Sequence, residues 1–406
     1  MTYKLIDGGV TAAQGFTASG IHCGIRQNKA KPDLALIYCE KPCNAAAEYT
    51  LNLVKGAPIL VTKKHLADGT AQAVICNSGN ANTCNADGEE KAEKMCQIAA
   101  DVLHIDPKNV IVASTGVIGQ VLPIEPIENA ASELAAVLSP TGSAKAAEAI
   151  MTTDTMRKEV AVEAVIGGKT VKIGGIAKGS GMIHPNMGTM LCFLTTDAAI
   201  STKMLNLALH SAVEESFNMV SIDGDTSTND TISIMASGLA QNPCIDSCNA
   251  DYKVFQEALT QICVELSRKV AKDGEGASKL LVCHVVGARD LSAARKVAKS
   301  VICSSLLKAA MFGADANWGR VLCAIGYAGA DVNINAVDVA FESAAGKIDV
   351  CKNGAGIAFS EEKAKEILLK DEINILVTLH EGGACAKAFG CDLTYDYVKI
   401  NGDYRS

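Results

Sequence analysis

Apolar and polar positions along this chain predict strands and helices in alternation. LALIYCE (34–40) and AQAVICNS (71–78) are short apolar runs with polar boundaries, the pattern of buried strands. Glu89 to His104 instead places Ala92, Met95, Cys96, Ala99 and Leu103 at helical spacing behind an acidic first turn, and Asn109 to Ala113 is the next strand. Helical patches at 128–138 and 143–150 precede the alternating run KEVAVEAVI, and GGKT (167–170) makes a hairpin-like turn. Further strands are expected over 190–196, 231–237, 279–287, 320–326 and 373–379, and helices over 201–216, 251–271, 290–312 and 360–370. Strand–turn–strand pieces with a turn at Asn353-Gly354 reach to about 359, and the segment after Leu379 is a tail. The sum is an α/β protein with mixed sheets and covering helices.

Composition narrows the class. With 406 residues, 49% hydrophobic and 20% charged, the chain can bury two packed lobes and reads as a soluble globular protein. Only 4% of residues are aromatic, so Ala, Val, Ile and Leu must fill the core. A formal net charge of −8 without a dominant basic patch argues against a nucleic-acid binder. No apolar stretch reaches the ~20 residues of a membrane span, and MTYKLIDGG lacks the pattern of a secretory signal. Most of the 16 cysteines sit in apolar runs, among them Cys76, Cys283 and Cys323, and read as reduced, buried small hydrophobes of a cytoplasmic protein. Cys39 with Cys43, and Cys244 with Cys248, have no companion cluster of His and Cys, so no structural metal site is expected. No internal repeat or Pro-rich linker divides the chain.

The stretch that carries chemistry is GGIAKGSGMIHPNMGTMLCFLTTDAAI, Gly174 to Ile200, where a glycine-rich run turns abruptly into an apolar strand. Thr189 stands at the junction behind Gly188, which has no side chain to hinder attack on its carbonyl. The threonine hydroxyl can attack that carbonyl, shift the acyl group from nitrogen to oxygen, and leave an ester that water hydrolyses. The new amino terminus then holds an α-amine, with a pKa of about 7.7–8.0, beside its own hydroxyl, which pairs a nucleophile with its base. A plain loop-to-strand junction accounts for the same two residues, because Gly-Thr pairs are common.

Other polar clusters have two readings each. ASTGVIG (113–119) turns with backbone N–H groups and the Thr115 hydroxyl available, which suits a developing oxyanion or an ordinary strand-to-loop turn. Thr152 and Thr153 are caps or substrate contacts. Lys178, in a glycine-rich loop, is a surface cation or a carboxylate binder, and Glu275, between two glycines, is a turn acid or a receptor for an ammonium group. GGKT is no phosphate loop, since Glu163 occupies the required upstream glycine position. DGDTSTND lacks the spacing and terminal Glu of a calcium loop and reads as a polar turn.

KGSGMIHPNMGTMLCFLTTDA closely resembles the processing-site motif of the ornithine acetyltransferase family, the glutamate N-acetyltransferases of arginine biosynthesis. ASTGVIG, MTTDT (151–155), SIDGDTSTND (221–230), GEGASK (274–279), GADANWGR (313–320) and DYVKINGDYRS are similar to further family segments in family order, so the resemblance spans nearly the whole chain. It implies a layered α/β sandwich with mixed sheets of the N-terminal-nucleophile type. It also implies cleavage at Gly188/Thr189 into pieces 1–188 and 189–406, assembled as a heterotetramer of two of each. The implied reaction moves acetyl from N2-acetyl-L-ornithine to L-glutamate through acetyl-Thr189, without metal or redox cofactor, and with acetyl-CoA as a further donor left open. The alternative is a related N-terminal-nucleophile aminopeptidase or amidohydrolase.

Carried over by motif, Thr115 and Gly116 form the oxyanion hole. Thr152 or Thr153 (Thr152 foremost), Lys178, Glu275, Asn401 and Ser406 join Thr189 at the substrate, with the partners of Lys178 and Glu275 left open. The chain departs from the family in Gly188, where Ala is usual, and in Ser406, where Thr is usual.

Overall fold

The computed structural model describes residues 3–184 and 190–402. Nine strands form the first sheet: β1 (Tyr3–Ile6), β2 (Phe16–Ile21), β3 (Leu34–Tyr49), β4 (Thr70–Asn80), β5 (Val110–Val117), β6 (Lys158–Ile166), β7 (Lys169–Lys178), β8 (Leu191–Thr196) and β10 (Thr231–Ala236). Its order is β1-β6-β7-β8-β10-β3-β4-β5, with β2 also paired to β3. The second sheet takes β9 (Val220–Ser221), β11 (Leu280–Ala288), β12 (Asp338–Ser343), β13 (Gly346–Lys352), β14 (Ala355–Gly356), β15 (Glu372–Thr378) and β16 (Ala384–Cys391), in the order β14-β13-β12-β15-β11-β16-β9. Both sheets are mixed: β8–β10 and β4–β5 are parallel in the first, β11–β15 and β16–β9 in the second.

Strand β8 shows how an apolar run becomes a central strand. Its six residues are all buried, and successive side chains point to opposite faces. Leu191 and Phe193 pack with β2 and with helix α4 (Ser143–Ala149). Cys192 and Leu194 pack with α5 (Thr202–Glu215) and α6 (Ala250–Lys272). A fully buried side chain of this kind contributes about 1.5–3 kcal/mol. Helix α6 also buries Leu280 and Val282 of β11 and Phe389 of β16, so it lies between the two sheets. Helices α1 (Ala57–His65), α2 (Gly88–Leu103) and α3 (Glu125–Ala136) cover the β3–β4–β5 end of the first sheet. The outer face of the second carries α7 (Leu291–Cys303), α8 (Ser305–Phe312), α9 (Trp318–Gly326) and α10 (Glu361–Leu368). The chain ends its described part in α11 (Tyr395–Gly402).

Several expectations change. The helix expected over 290–312 is two helices, because Ser304 adopts an extended conformation and its Oγ accepts from Leu307 N, capping α8. The run 320–326 is helix, not strand: Asn317 Oδ1 accepts from Arg320 N, and Val321, Ala324 and Ile325 bury one helical face. That leaves Cys323 exposed on the opposite face, together with Cys84, Cys244, Cys248 and Cys385, whereas nine other cysteines are buried as expected and none is in a disulfide. Strands β1, β2 and β16 and helix α11 occupy segments without a predicted element. GGKT is the hairpin turn between β6 and β7, with Gly167 and Gly168 at φ +55° and +76°, and Asn353-Gly354 turns β13 into β14. Among the described residues no helix is long and apolar enough to cross a membrane.

Replacing Ser304 by Ala removes the cap of α8 and is expected to cost about 1 kcal/mol. A lowered urea midpoint with unchanged helix content by circular dichroism checks this.

Candidate active site

The site forms where the C-terminal end of β5 meets the ends of β4 and β7. Gly116 lies opposite Gly79 across the parallel β4–β5 pair, at φ +132°. A Cβ at Gly116 would run into the Gly79 backbone, so both position and conformation require glycine. This close approach bulges the ladder at Asn80, and Thr115 beside it lines the pocket. Strand β5 thus continues to Val117 instead of ending in a free turn, and Thr115-Gly116 stands near its end.

Across the pocket, Lys178 ends β7 with its side chain almost wholly buried. Its Nζ donates to Thr115 Oγ1 at 3.4 Å. Burial pulls the Lys178 ammonium down from its ordinary pKa, and Asp154 pulls it back up. Asp154 belongs to a buried ionic cluster. Lys158 Nζ donates to Asp154 Oδ1 at 2.5 Å and to Asp273 Oδ2 at 2.6 Å, with no solvent exposure at Lys158. Burial works to raise the Asp154 carboxyl, but Lys158, Lys178 and the Gly179 N–H together hold it below the ordinary carboxylate value.

These carboxylates organise backbone. Asp154 Oδ1 accepts from Gly179 N at 2.7 Å and Oδ2 from Thr152 N at 3.0 Å. Asp273 accepts from Thr155 N and Oγ1. Thr153 Oγ1 and Ser180 Oγ share a 2.6 Å hydrogen bond, while the Thr152 hydroxyl has no partner among the described residues. Thr152 is therefore the better placed of the two to meet a ligand.

The opposite wall comes from the loop between α6 and β11, the loop between β9 and β10, and α11. Asn401 on α11 donates from Nδ2 to Glu275 Oε2 at 2.7 Å. Gly181 lies so close to the Glu275 carboxyl that a side chain at 181 would displace it. Asp223 accepts from Met182 N and Ile183 N at 2.5 and 2.8 Å, and from Tyr397 OH at 3.4 Å. The segment approaching 188/189 is held further by Thr226 Oγ1 donating to His184 O. Burial, then Lys299, lowers the His184 imidazole to a pKa of about 4, so it is neutral at physiological pH. Asn229 donates to Ala81 O and Ser114 O, tying the polar loop 221–230 to both β4 and β5.

One pocket of about 110 Å³ brings together Thr115, Gly116, Thr152, Thr153, Lys178, Glu275 and Asn401. Every predicted site residue that the structure describes is therefore in one place. Gly188, Thr189 and Ser406 lie outside the described residues, with His184 and Met190 the described neighbours of the first two. A larger chamber of about 640 Å³ adjoins the pocket, sharing Gly116, Thr152 and Thr153, with Arg26 and Lys31 in its wall and no carboxylate among its described lining residues. Sequence reasoning gave no role to Asp154, Lys158, Asp223 or Asn229, although MTTDT contains the first and the polar run DGDTSTND the last two.

A pocket with one buried cation, a glycine at a close strand approach and a carboxylate, set at the ends of β4, β5 and β7, defines an α/β enzyme site suited to acyl chemistry. The chain belongs to the ArgJ family, whose profile matches residues 17–406. It is 50% identical over 398 residues to the arginine biosynthesis bifunctional protein ArgJ 1 of Clostridium acetobutylicum, covering 98% of this chain and 97% of that one. It is also 50% identical over 401 residues to the arginine biosynthesis bifunctional protein ArgJ of Symbiobacterium thermophilum, covering 98% and 99%. The crystal structure of the arginine biosynthesis bifunctional protein argJ from Bacillus halodurans aligns with a TM-score of 0.51 at 46% identity, over 53% of this chain and 100% of that chain.

Replacing Lys158 by Met strands two buried carboxylates and is expected to cost about 3–5 kcal/mol, read from the urea midpoint at neutral pH. Because the Asp154 pKa is depressed on folding, its contribution is present above the unfolded value of about 3.9 and is lost as pH falls through the folded value. Urea midpoints measured downward from pH 5 should fall less steeply in Asp154→Asn than in the parent.

Proposed function

We propose that this chain is a self-processing acetyltransferase that moves acetyl from N2-acetyl-L-ornithine to L-glutamate in arginine biosynthesis. The observation that carries the reading is the convergence of Thr115, Gly116, Thr152, Lys178, Glu275 and Asn401 on one pocket beside the segment that leads to Thr189. The chain would cut itself between Gly188 and Thr189. That the Bacillus halodurans chain aligns over its full length to only 53% of this one supports a division near the middle. The two pieces, 1–188 and 189–406, would stay together and associate as a heterotetramer in the cytoplasm.

In the transfer, Thr189 Oγ attacks the acetyl carbonyl and its own α-amine takes the proton. The Thr115 hydroxyl and Gly116 N–H stabilise the oxyanion, each such donor being worth about 2.7–4 kcal/mol. The tetrahedral species collapses to acetyl-Thr189 as ornithine leaves with a proton. The glutamate amine then attacks the ester, yields N-acetyl-L-glutamate and restores Thr189. Thr152, Lys178, Glu275, Asn401 and Ser406 position the amino-acid parts of donor and acceptor. No metal or redox cofactor enters the scheme. Acetyl-CoA fits as a second donor, because the adjoining chamber offers volume and the cations Arg26 and Lys31 to a large anionic leaving group.

Intact mass under denaturing conditions should give two fragments, one ending at Gly188 and one beginning at Thr189. Incubation with N-acetylornithine alone should add one acetyl group to the second fragment. Thr189→Ala should remain one chain and transfer nothing; full transfer by that variant would exclude Thr189 as nucleophile. Acetate release that proceeds equally with and without glutamate would favour an N-terminal-nucleophile amidohydrolase instead.

A further inference from the structure

One wall of the chamber beside the acyl pocket is the loop between β2 and β3, and a buried carboxylate shapes that loop. Asp33 is fully buried, and its side chain accepts from Cys23 N at 2.6 Å, Arg26 N at 2.8 Å and Gly24 N at 3.3 Å. Its backbone is pinned as well: Asp33 N donates to Ile21 O, and Asp33 O accepts from Ser78 N of β4. At the far end of the loop Lys31 N donates to Asn28 O, and Lys31 O lies 3.1 Å from His22 Nδ1. The loop is thus braced from within and turns both Arg26 and Lys31 to the chamber.

Arg26 reaches further. Its side chain crosses the end of β4 so closely that a Cβ at Gly79 would lie 2.9 Å from Arg26 Cγ. Its guanidinium donates to the carbonyl of Met151, the residue before Thr152. Arg26 therefore stands where chamber and acyl pocket meet, since Gly116, Thr152 and Thr153 line both. The chamber measures about 640 Å³, and its described lining sets two cations against no carboxylate. Such a wall offers nothing to the ammonium group of N-acetylornithine. It suits a group with several negative charges, because a guanidinium meets phosphate oxygens in pairs and an ammonium adds a second point of charge.

We infer that the β2–β3 loop is the phosphate-binding element for a thioester donor, with Arg26 and Lys31 holding the phosphates of acetyl-CoA. The inference rests on the acetyl-transfer reading above and adds to it the residues that admit a second donor. In this half-reaction Thr189 Oγ attacks the thioester carbonyl and the α-amine takes its proton. The C–S bond then breaks, the sulfur leaves with that proton as the CoA thiol, and the same acetyl-Thr189 passes its acetyl group to glutamate.

The test uses the processed protein with glutamate as acceptor and three donors: N-acetylornithine, acetyl-CoA, and S-acetylpantetheine, which has the same thioester and no phosphate. The parent should use acetyl-CoA with a kcat/KM about tenfold or more above that for S-acetylpantetheine. Lys31→Glu and Arg26→Gln should each lower two ratios about tenfold, acetyl-CoA over S-acetylpantetheine and acetyl-CoA over N-acetylornithine. Added salt should depress the parent's use of acetyl-CoA more than its use of S-acetylpantetheine. These ratios are taken within one preparation, so a general loss of folded protein does not move them. Equal use of the two thioesters by the parent, or ratios that either substitution leaves unmoved, would overturn the inference. So would transfer from N-acetylornithine by a protein that ignores acetyl-CoA, and all three results leave the acetyl-transfer reading intact. Should Arg26→Gln fail to fold, Lys31→Glu decides the matter. A processed parent that transfers acetyl from none of the donors would sink the reading itself, and the inference with it.

Discussion

The ammonium of Lys158 lies sealed from water between Asp154 and Asp273, and the placement of the site's polar groups depends on that contact. Three charges removed from solvent are tolerable only when each finds partners with good geometry, because an unpaired buried ion is far costlier than a paired one. Here the carboxylates are completed by backbone N–H groups: Thr152 and Gly179 on Asp154, Thr155 on Asp273. Satisfying the ions therefore fixes the turn after α4, the end of β7 and the segment that leads to Glu275. Three stretches far apart in sequence are brought to one pocket by one cation.

Around this cluster, close packing supplies what charge cannot. Gly116 against Gly79 and Gly181 against Glu275 are contacts that any side chain would prevent. Asp223 and Asn229 then turn a polar loop into a brace, one gripping the backbone at 182–183, the other bridging β4 and β5. The loop's carboxylates and hydroxyls, so dense in sequence, are spent largely on backbone.

How much of this was legible in the sequence varies with the physical signal. Two-sided apolar runs such as LCFLTT and VIVA declared themselves as strands, and Asn353-Gly354 declared a turn. RVLCAIG was ambiguous because a short apolar run fits either period, and only the Asn317 cap decides for helix. The break at Ser304 was hidden inside one continuous helical pattern. Asp154, Lys158 and Asp273 look like ordinary surface charges until the fold removes their water. The candidate site itself was read mainly from family resemblance. Local chemistry at Thr115, Lys178 and Glu275 allowed bland alternatives, and the pocket shows why: each acquires its neighbours from another part of the chain.

The first sheet has a consequence for the order of events. Strands β6 and β7 precede residue 188, β8 and β10 follow it, and β8 lies hydrogen-bonded between β7 and β10. A chain cut between β7 and β8 is still stitched across the break by that ladder and by the core on both faces of β8. Once fully denatured, however, the cut molecule must find its other half in solution, where the uncut one needs only to close a loop. Folding is then a first-order process before scission and a second-order one after it. Under the proposed cleavage, dilution would oppose recovery of the cut protein and leave that of the uncut chain untouched.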